Sequence, residues 1–361
     1  MLFLDQRGTG LSSPISAATL SREGTPKQQA QYLKLFRADS IIRDCEAVRK
    51  CLTKDYPEKK QKWSVLGQSF GGFCAVTYLS QFPEGLKEVF TCGGLPPLIN
   101  TPDQAYTQTY KKVVQRNEAY YTKYAEDVPR VHQICKYLDS SSPLLPSQIP
   151  LTSRRFLQIG LAFGFHGGFE SVHDVILKAA TELDTIGMMT RSTLASIDSN
   201  LDFDQNVLYA ILHEPIYCQG AASNWSAHRV KKHFPQFESF GENTNYSLDN
   251  PIYFAGEMIY PWMFTDYAEL QALQPVAEIL AAVDDWPTLY DTEQLAKNEV
   301  PVYSATYMED MYVDFGFARN TASKIRGCKE FITNVLYHNA LGSKSDEVMK
   351  QLFAMRDDVV D

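Results

Sequence analysis

The sequence has no Cys-x-x-Cys pair, no dense cationic run, no His-Glu-x-x-His motif and no apolar stretch of membrane-spanning length. Each absence closes off a class. Seven cysteines (Cys45, Cys51, Cys74, Cys92, Cys135, Cys218 and Cys328) are scattered singly through 361 residues. An odd, unpaired set of this kind builds neither a disulfide framework nor a zinc site, and reads as buried free thiols of a reducing, cytoplasmic compartment. His213-Glu214 starts like a zinc-peptidase helix, but position 217 is tyrosine. Lys and Arg total 34 against 43 Asp and Glu, a formal charge of −9, and the nearest approach to a basic run is Val230 to His233. That balance argues against nucleic acid and against an anionic membrane surface as partners. The first ten residues, MLFLDQRGTG, have neither the basic start nor the apolar core of a secretory signal. Asp5 to Ser12 is glycine-rich but lacks the spacing and the Lys-Ser/Thr of a phosphate loop, so no nucleotide cofactor is implied.

What is present is a core. Hydrophobic residues make up 44% and aromatics 12% of the chain, enough for one large domain with an insertion, or for two domains. Short apolar strands are expected at Leu2–Leu4, Trp63–Leu66 and Glu88–Thr91. A helix with apolar residues at Ile41, Ile42, Cys45, Val48 and Leu52 lies between the first two, and another runs from Phe73 to Pro83 between the last two. This alternation is that of a parallel sheet wrapped by helices. From Leu98 to Glu299 the rhythm gives way to aromatic-rich, mainly helical segments: Gln104–Lys123, Phe156–Leu161, Val172–Leu183, Gln205–Ala210 and Tyr267–Leu280. It returns with strands at Val300–Ala305 and Lys329–Thr333 and helices at Phe317–Ile325 and Asp346–Met355. The expected organisation is an α/β core in two parts, 1–97 and 300–361, interrupted by a helical cap, 98–299.

Gly67-Gln68-Ser69-Phe70-Gly71 has the Gly-x-Ser-x-Gly pattern of a nucleophile elbow, placed between a strand and a helix. There a sharp turn exposes the serine hydroxyl above the sheet, and the backbone N–H of the next residue, Phe70, supplies half of an oxyanion hole. A nucleophilic serine needs a base and an orienting acid, which follow it in the order acid, then histidine, in loops after late strands. Beyond the Val300–Ala305 strand stand Glu309, Asp310 and Asp314, among which the residues alone do not choose. Beyond the Lys329–Thr333 strand stands His338, the one histidine past the cap.

The segments LFLDQRGTGLS, LGQSFGG and VPVYSATYMEDMYVDF…YHNALG resemble the prolyl aminopeptidase (proline iminopeptidase) family of α/β-hydrolases, over nearly the whole chain and nearest to its large-cap members. The resemblance implies a metal-free serine exopeptidase with an α/β-hydrolase fold that releases an N-terminal residue, preferably proline, from small peptides. It selects Asp310, directly ahead of Met311, as the acid. Tyr337-His338-Asn339 departs from the Gly-His-Ser of compact members. It also implies that cap glutamates hold the substrate's free ammonium: Glu257 in GEMIYPWMF and Glu214 in LHEPIY, with Tyr260, Trp262 and Phe264 gripping the ring. A carboxylate pair suits a secondary ammonium, which has two N–H donors. The rival readings are a serine esterase or amidase with the same three residues, and a non-catalytic remnant. The last arises because the family's His-Gly-Gly-Pro-Gly segment, source of the second oxyanion donor, should precede LFLDQRGTG, where only one residue stands. His166-Gly167-Gly168 continues with Phe169 and does not replace it. On this reading the chain lacks its N-terminal strands and has little or no activity. The Leu2–Leu4 strand is expected to be slid against the Trp63 strand or poorly held, beside an exposed apolar face.

Overall fold

The computed structural model describes residues 2–240 and 250–357. Its framework is a four-stranded, all-parallel sheet in the order β1 (Trp63–Gln68), β2 (Leu86–Cys92), β3 (Val302–Tyr307) and β4 (Cys328–Thr333). Parallel strands are joined by crossovers that cover both faces, so the central strands must be apolar on both sides. β2 and β3 obey this by alternation. Val89 and Val302 face one apolar cluster with the helices Ala38–Thr53, Phe70–Gln81 and Phe315–Lys324. Phe90, Cys92, Tyr303, Ala305 and Tyr307 face the other, beneath the helix Ser345–Arg356. The polar residues inside the sheet satisfy one another: Thr91 Oγ1 donates to Ser304 Oγ at 2.9 Å across the β2–β3 pair.

Two expectations need correction. Leu2–Leu4 forms no strand; it pairs with no neighbour, and Leu2, Phe3 and Leu4 are 56%, 86% and 42% exposed. A β segment gains its backbone hydrogen bonds only from a partner, and no described strand lies beside this one. β1 is accordingly an edge of the described sheet, with Leu66 exposed. Nor does the N-terminal part belong wholly to the α/β core. Leu20, Ala30, Leu33 and Phe36 pack into the large apolar cluster of the cap, where the helix Pro26–Leu33 meets the helix Gln274–Ala281.

Between β2 and β3 the chain is helical, from Asp103–Lys123 through Asp127–Ser141, Gly168–Ile186 and Arg191–Asn200 to Thr292–Ala296. Arg37, directly before the helix Ala38–Thr53, ties this insertion to that helix. It is 1% exposed, lies over the Trp286 ring, and donates to the carbonyls of Pro215, Cys218 and Pro287 at 3.2, 2.6 and 2.7 Å. Three carbonyl acceptors around one guanidinium meet the requirement that a buried cation be hydrogen-bonded. Among the described residues, no helix is long and apolar enough to cross a membrane. All seven cysteines are free; Cys92, Cys135 and Cys218 are buried, whereas Cys51 is exposed, contrary to the expectation that all are buried.

Candidate active site

The site starts from the backbone at the end of β1. Ser69 has φ 52° and ψ −123°, a conformation that costs a non-glycine residue on the order of 1–3 kcal/mol. Close packing over-determines it. A Cβ on Gly67 would lie 2.2 Å from the Gly71 carbonyl oxygen and 2.6 Å from the Gly72 nitrogen, and one on Gly72 would lie 2.4 Å from the Gly94 carbonyl oxygen. A Cβ on Gly71 would meet nothing within 4 Å. The residues that keep the turn tight are therefore Gly67 and Gly72, not the second glycine of the pentapeptide. Phe70 opens the helix Phe70–Gln81, so its N–H has no acceptor within the helix, and it lines a cavity together with Ser69.

The loop after β4 brings His338 over this turn. Its Nε2 is 2.9 Å from Ser69 Oγ and its Nδ1 is 2.8 Å from Asp310 Oδ2. Asp310, in the loop after β3, is 2% exposed; its Oδ1 accepts the backbone N–H groups of Tyr312 and Val313 at 2.8 and 2.9 Å. The three acids that the residues alone leave open are separated by their contacts. Glu309 pairs with Lys112 at 3.2 Å, and Asp314 caps the helix Phe315–Lys324 by accepting Phe317 N–H at 2.9 Å. Only Asp310 reaches the imidazole. Gly93, at φ 53°, makes room for the pair: a Cβ there would lie 3.2 Å from both Asp310 Oδ2 and His338 Nδ1. Burial by itself would lower the His338 imidazole, but the Asp310 charge and hydrogen bond, with the Glu257 charge, together raise it above its ordinary value.

Two cavities open on Ser69. One, of about 400 Å³, is lined by Ser69, Phe70, Phe73, Tyr217, Val313 and Glu257, with His213 and Tyr209 also on its wall. The second, of about 310 Å³, adds His338, Tyr312 and Phe165 to Ser69, Tyr209 and Glu257. Glu257 therefore borders both lobes, with Oε1 accepting the Tyr209 hydroxyl at 2.6 Å. Glu214 does not join it. Its carboxylate accepts Ser226 N–H at 3.0 Å and Ala227 N–H at 2.9 Å, capping the helix Ser226–Lys231, and the residue is 4% exposed. The physical reason is helical geometry, in which adjacent residues point in different directions. On the turn that carries both, His213 faces the cavity and Glu214 faces away. The His213 Nε2 lies 3.9 Å from Glu257 Oε2, and burial keeps its imidazole below the ordinary value against the pull of that carboxylate.

The three aromatics expected to grip the ring stand elsewhere. Tyr260 stacks on Trp262 at 5.6 Å and shares a 2.9 Å hydrogen bond with the Tyr110 hydroxyl. Arg154 covers Trp262, and Phe264 packs on Trp225. All three are buried in the cap cluster and none lines either cavity. The aromatic wall comes instead from Phe70, Phe73, Tyr209, Tyr217 and Tyr312. Phe70 and Phe73 are elbow-helix residues that the motif could have flagged, while Tyr209, Tyr217 and His213 carry no sequence signal beyond aromatic density.

Set against known proteins, residues 2–161 match the family model of the alpha/beta hydrolase fold. A proline iminopeptidase of Aspergillus aculeatus is 47% identical over 361 residues, covering 100% of this chain and 79% of that protein. A proline iminopeptidase of Aeromonas sobria is 40% identical over 359 residues, covering 99% of this chain and 80% of that one. Among solved structures, a proline iminopeptidase of Mycobacterium smegmatis aligns over 99% of this chain and 80% of its own, with a TM-score of 0.42 and 12% identity.

The elbow packing yields a contrast within one dipeptide. Gly72→Ala drives a methyl group into the Gly94 backbone and is expected to destabilise the fold by about 2 kcal/mol or more, in the range of overpacking. Gly71→Ala, in open space inside a helix, is expected to be neutral or to stabilise by about 0.5–1 kcal/mol. Urea unfolding of both variants measures the difference; equal losses would show that the turn depends on Gly71 too.

Proposed function

Because the chain belongs to the proline iminopeptidase family of α/β-hydrolases, we propose that Ser69, His338 and Asp310 carry out its serine exopeptidase chemistry, the release of an N-terminal proline. Ser69 Oγ attacks the carbonyl of the first residue while His338 Nε2 takes its proton, and Asp310 holds the other ring nitrogen. The Phe70 N–H, at the free N-terminus of its helix, donates to the developing oxyanion. His338 then protonates the leaving amine, and a water activated by the same imidazole hydrolyses the acyl-enzyme. The observation that carries this reading is the Ser69–His338–Asp310 relay, with contacts of 2.9 and 2.8 Å, opening onto the same cavities as Glu257.

Glu257 makes the enzyme an exopeptidase. A prolyl N-terminus carries a positive charge on a secondary amine, which a half-buried carboxylate beside the nucleophile binds and an acylated or internal residue cannot supply. The lobe lined by Phe70, Phe73, Tyr217 and Val313 takes the pyrrolidine ring. The lobe on the His338 side takes the leaving peptide, since the imidazole must reach the departing nitrogen. An esterase with the same relay has no use for Glu257 at this position. The free thiols support a reducing compartment, the cytoplasm, as the place of action.

A fluorophosphonate probe is expected to label Ser69, and Ser69→Ala to abolish both labelling and turnover of proline-naphthylamide. Labelling that persists in the variant would remove the nucleophile assignment. A neutral ester of similar size should be the poorer substrate.

Glu257→Gln is expected to reduce kcat/KM for free prolyl substrates by roughly 1.5–3 kcal/mol, the worth of a charge-assisted hydrogen bond. N-acetylproline amides, lacking the charge, should be poor substrates for both forms and indifferent to the change. Equal losses on the two substrate types would make Glu257 a structural residue.

The base works unprotonated, and its folded-state value is raised, so kcat/KM should fall with decreasing pH through a midpoint above about 6.5. Glu257→Gln removes one of the charges that raise it and should move that midpoint down. A wild-type midpoint at or below the ordinary imidazole value would contradict the electrostatic account.

A further inference from the structure

His166 belongs to the cap, in the segment just before the helix Gly168–Ile186, and is remote in sequence from every residue of the relay. Yet it holds the chain on both sides of His338. Tyr337 N–H, one residue before the base, donates to His166 Nε2 at 3.1 Å. His166 N–H donates to the side-chain carbonyl Oδ1 of Asn339, one residue after the base, at 3.0 Å. The His166 ring meets the Tyr337 ring edge-on at 4.9 Å. Arg116 covers the outer side of that tyrosine at 5.0 Å while donating to the Phe163 carbonyl at 2.9 Å. The same cap segment touches the acid loop: the Tyr312 hydroxyl donates to the Leu161 carbonyl, and Phe165 stacks on Tyr312 at 5.2 Å.

These contacts have a chemical requirement. Accepting a backbone N–H at Nε2 needs the neutral imidazole with its proton on Nδ1. Burial, helped by the charge of Lys344 and opposed by that of Glu347, keeps His166 below its ordinary value, in the form the contact needs. Within the core, one strut holds the same loop, Gln68 Nε2 donating to the His338 carbonyl at 3.1 Å. A base on a loop needs such anchoring, because misplacement by about 1 Å can cost on the order of a hundredfold in rate.

We propose that His166 is a positioning residue for the catalytic base: by bonding the residues before and after His338, the cap fixes the distance between His338 Nε2 and Ser69 Oγ. This rests on His338 acting as base in the reading above. The cap is then part of the catalytic geometry as well as the wall of the substrate cavity, and the His-Gly-Gly sequence at 166–168 has its role here. Gly168 is there because a Cβ would collide with the Ala162 carbonyl, so the chain leaves His166 by a path open to glycine.

The test separates the Nε2 acceptor from the bulk of the ring. In the full chain, His166→Gln places an amide near the position of Nε2, His166→Asn stops short of it, and His166→Phe keeps the ring contact with Tyr337 without any acceptor. On proline-naphthylamide, His166→Asn and His166→Phe are expected to lower kcat about 10- to 100-fold with KM within about twofold, while His166→Gln stays within about threefold of wild type. Asn339→Ala, which removes the other strut, should lower kcat similarly, and its combination with His166→Phe should cost less than the product of the two losses. Equal kcat in all three His166 variants, or a loss confined to KM, overturns the proposal. If the Phe variant fails to fold, the Gln–Asn comparison and Asn339→Ala still decide it. The rate of fluorophosphonate labelling at Ser69 is followed alongside, because it uses no proline. Labelling that follows the same ranking while prolyl turnover is absent leaves the positioning role standing and sinks the substrate reading. A wild-type protein that is neither labelled nor active overturns both.

Discussion

Everything in the site depends on the backbone of Ser69. A parallel strand delivers the chain to the sheet's C-terminal edge at Gln68, and the helix Phe70–Gln81 starts at once. The single residue between them is Ser69 at φ 52°, a turn that lifts the serine hydroxyl clear of the strand and the helix. That conformation is paid for by approaches between backbones, of Gly67 to Gly71 and Gly72, and of Gly72 to Gly94. These lie on β1, on the elbow helix and just after β2, so the sheet and helix could not pack closer around any larger side chain. The loop after β3 then brings Asp310, the loop after β4 brings His338, and Gly93 leaves the space in which they meet.

The cap adds a second constraint, through where buried polar groups find partners. Of the neighbours His213 and Glu214, the family resemblance points to Glu214 for the cavity, and the fold places His213 there instead. In the fold Glu214 satisfies two amides at a helix start, an arrangement that a buried carboxylate needs, and so it is withdrawn from the substrate. Glu257 accepts the Tyr209 hydroxyl on Oε1, has His213 Nε2 3.9 Å from Oε2, and borders both lobes.

The core was legible in the sequence to within a few residues. Strands expected at Trp63–Leu66, Glu88–Thr91, Val300–Ala305 and Lys329–Thr333 are found at Trp63–Gln68, Leu86–Cys92, Val302–Tyr307 and Cys328–Thr333; the central pair, buried on both faces, reads as apolar runs. Ser69 and His338 could be picked from motif and chain order, whereas Asp310 needed the family resemblance, since three acids share its loop. The cap was read less well. The helix Asp127–Ser141 is not among those expected although it carries an apolar stripe at Val131, Ile134, Cys135 and Leu138; Arg191–Asn200 carries few apolar residues and is not among them either; and the helix expected at Tyr267–Leu280 is broken into Ala268–Gln271 and Gln274–Ala281 ahead of Pro275. Tyr260, Trp262 and Phe264 drew attention as an aromatic cluster beside Glu257. Such a cluster fits a hydrophobic core as well as a binding wall, and only tertiary packing tells which. Leu2–Leu4 shows the same limit from the other side: apolar β-formers make a strand only where a neighbour supplies hydrogen bonds.

Charge connects substrate recognition to the base. In the free site His338 feels two carboxylates, Asp310 in direct contact and Glu257 across the cavity, and both favour its protonated, inactive form. Asp310 cannot be spared, because it holds the ring nitrogen that must keep its proton. Glu257 is different: on the proposed function a prolyl ammonium lies against it, which would leave the pair close to neutral and remove most of its pull on the imidazole. On that reading, binding a free prolyl N-terminus would shift His338 toward its neutral form, by an interaction with no direct contact between Glu257 and the imidazole. An acylated or neutral ligand fills the same space without cancelling that charge. On the proposed function, selection for a free N-terminus would act twice, in the affinity of the ammonium for Glu257 and in the protonation state of His338.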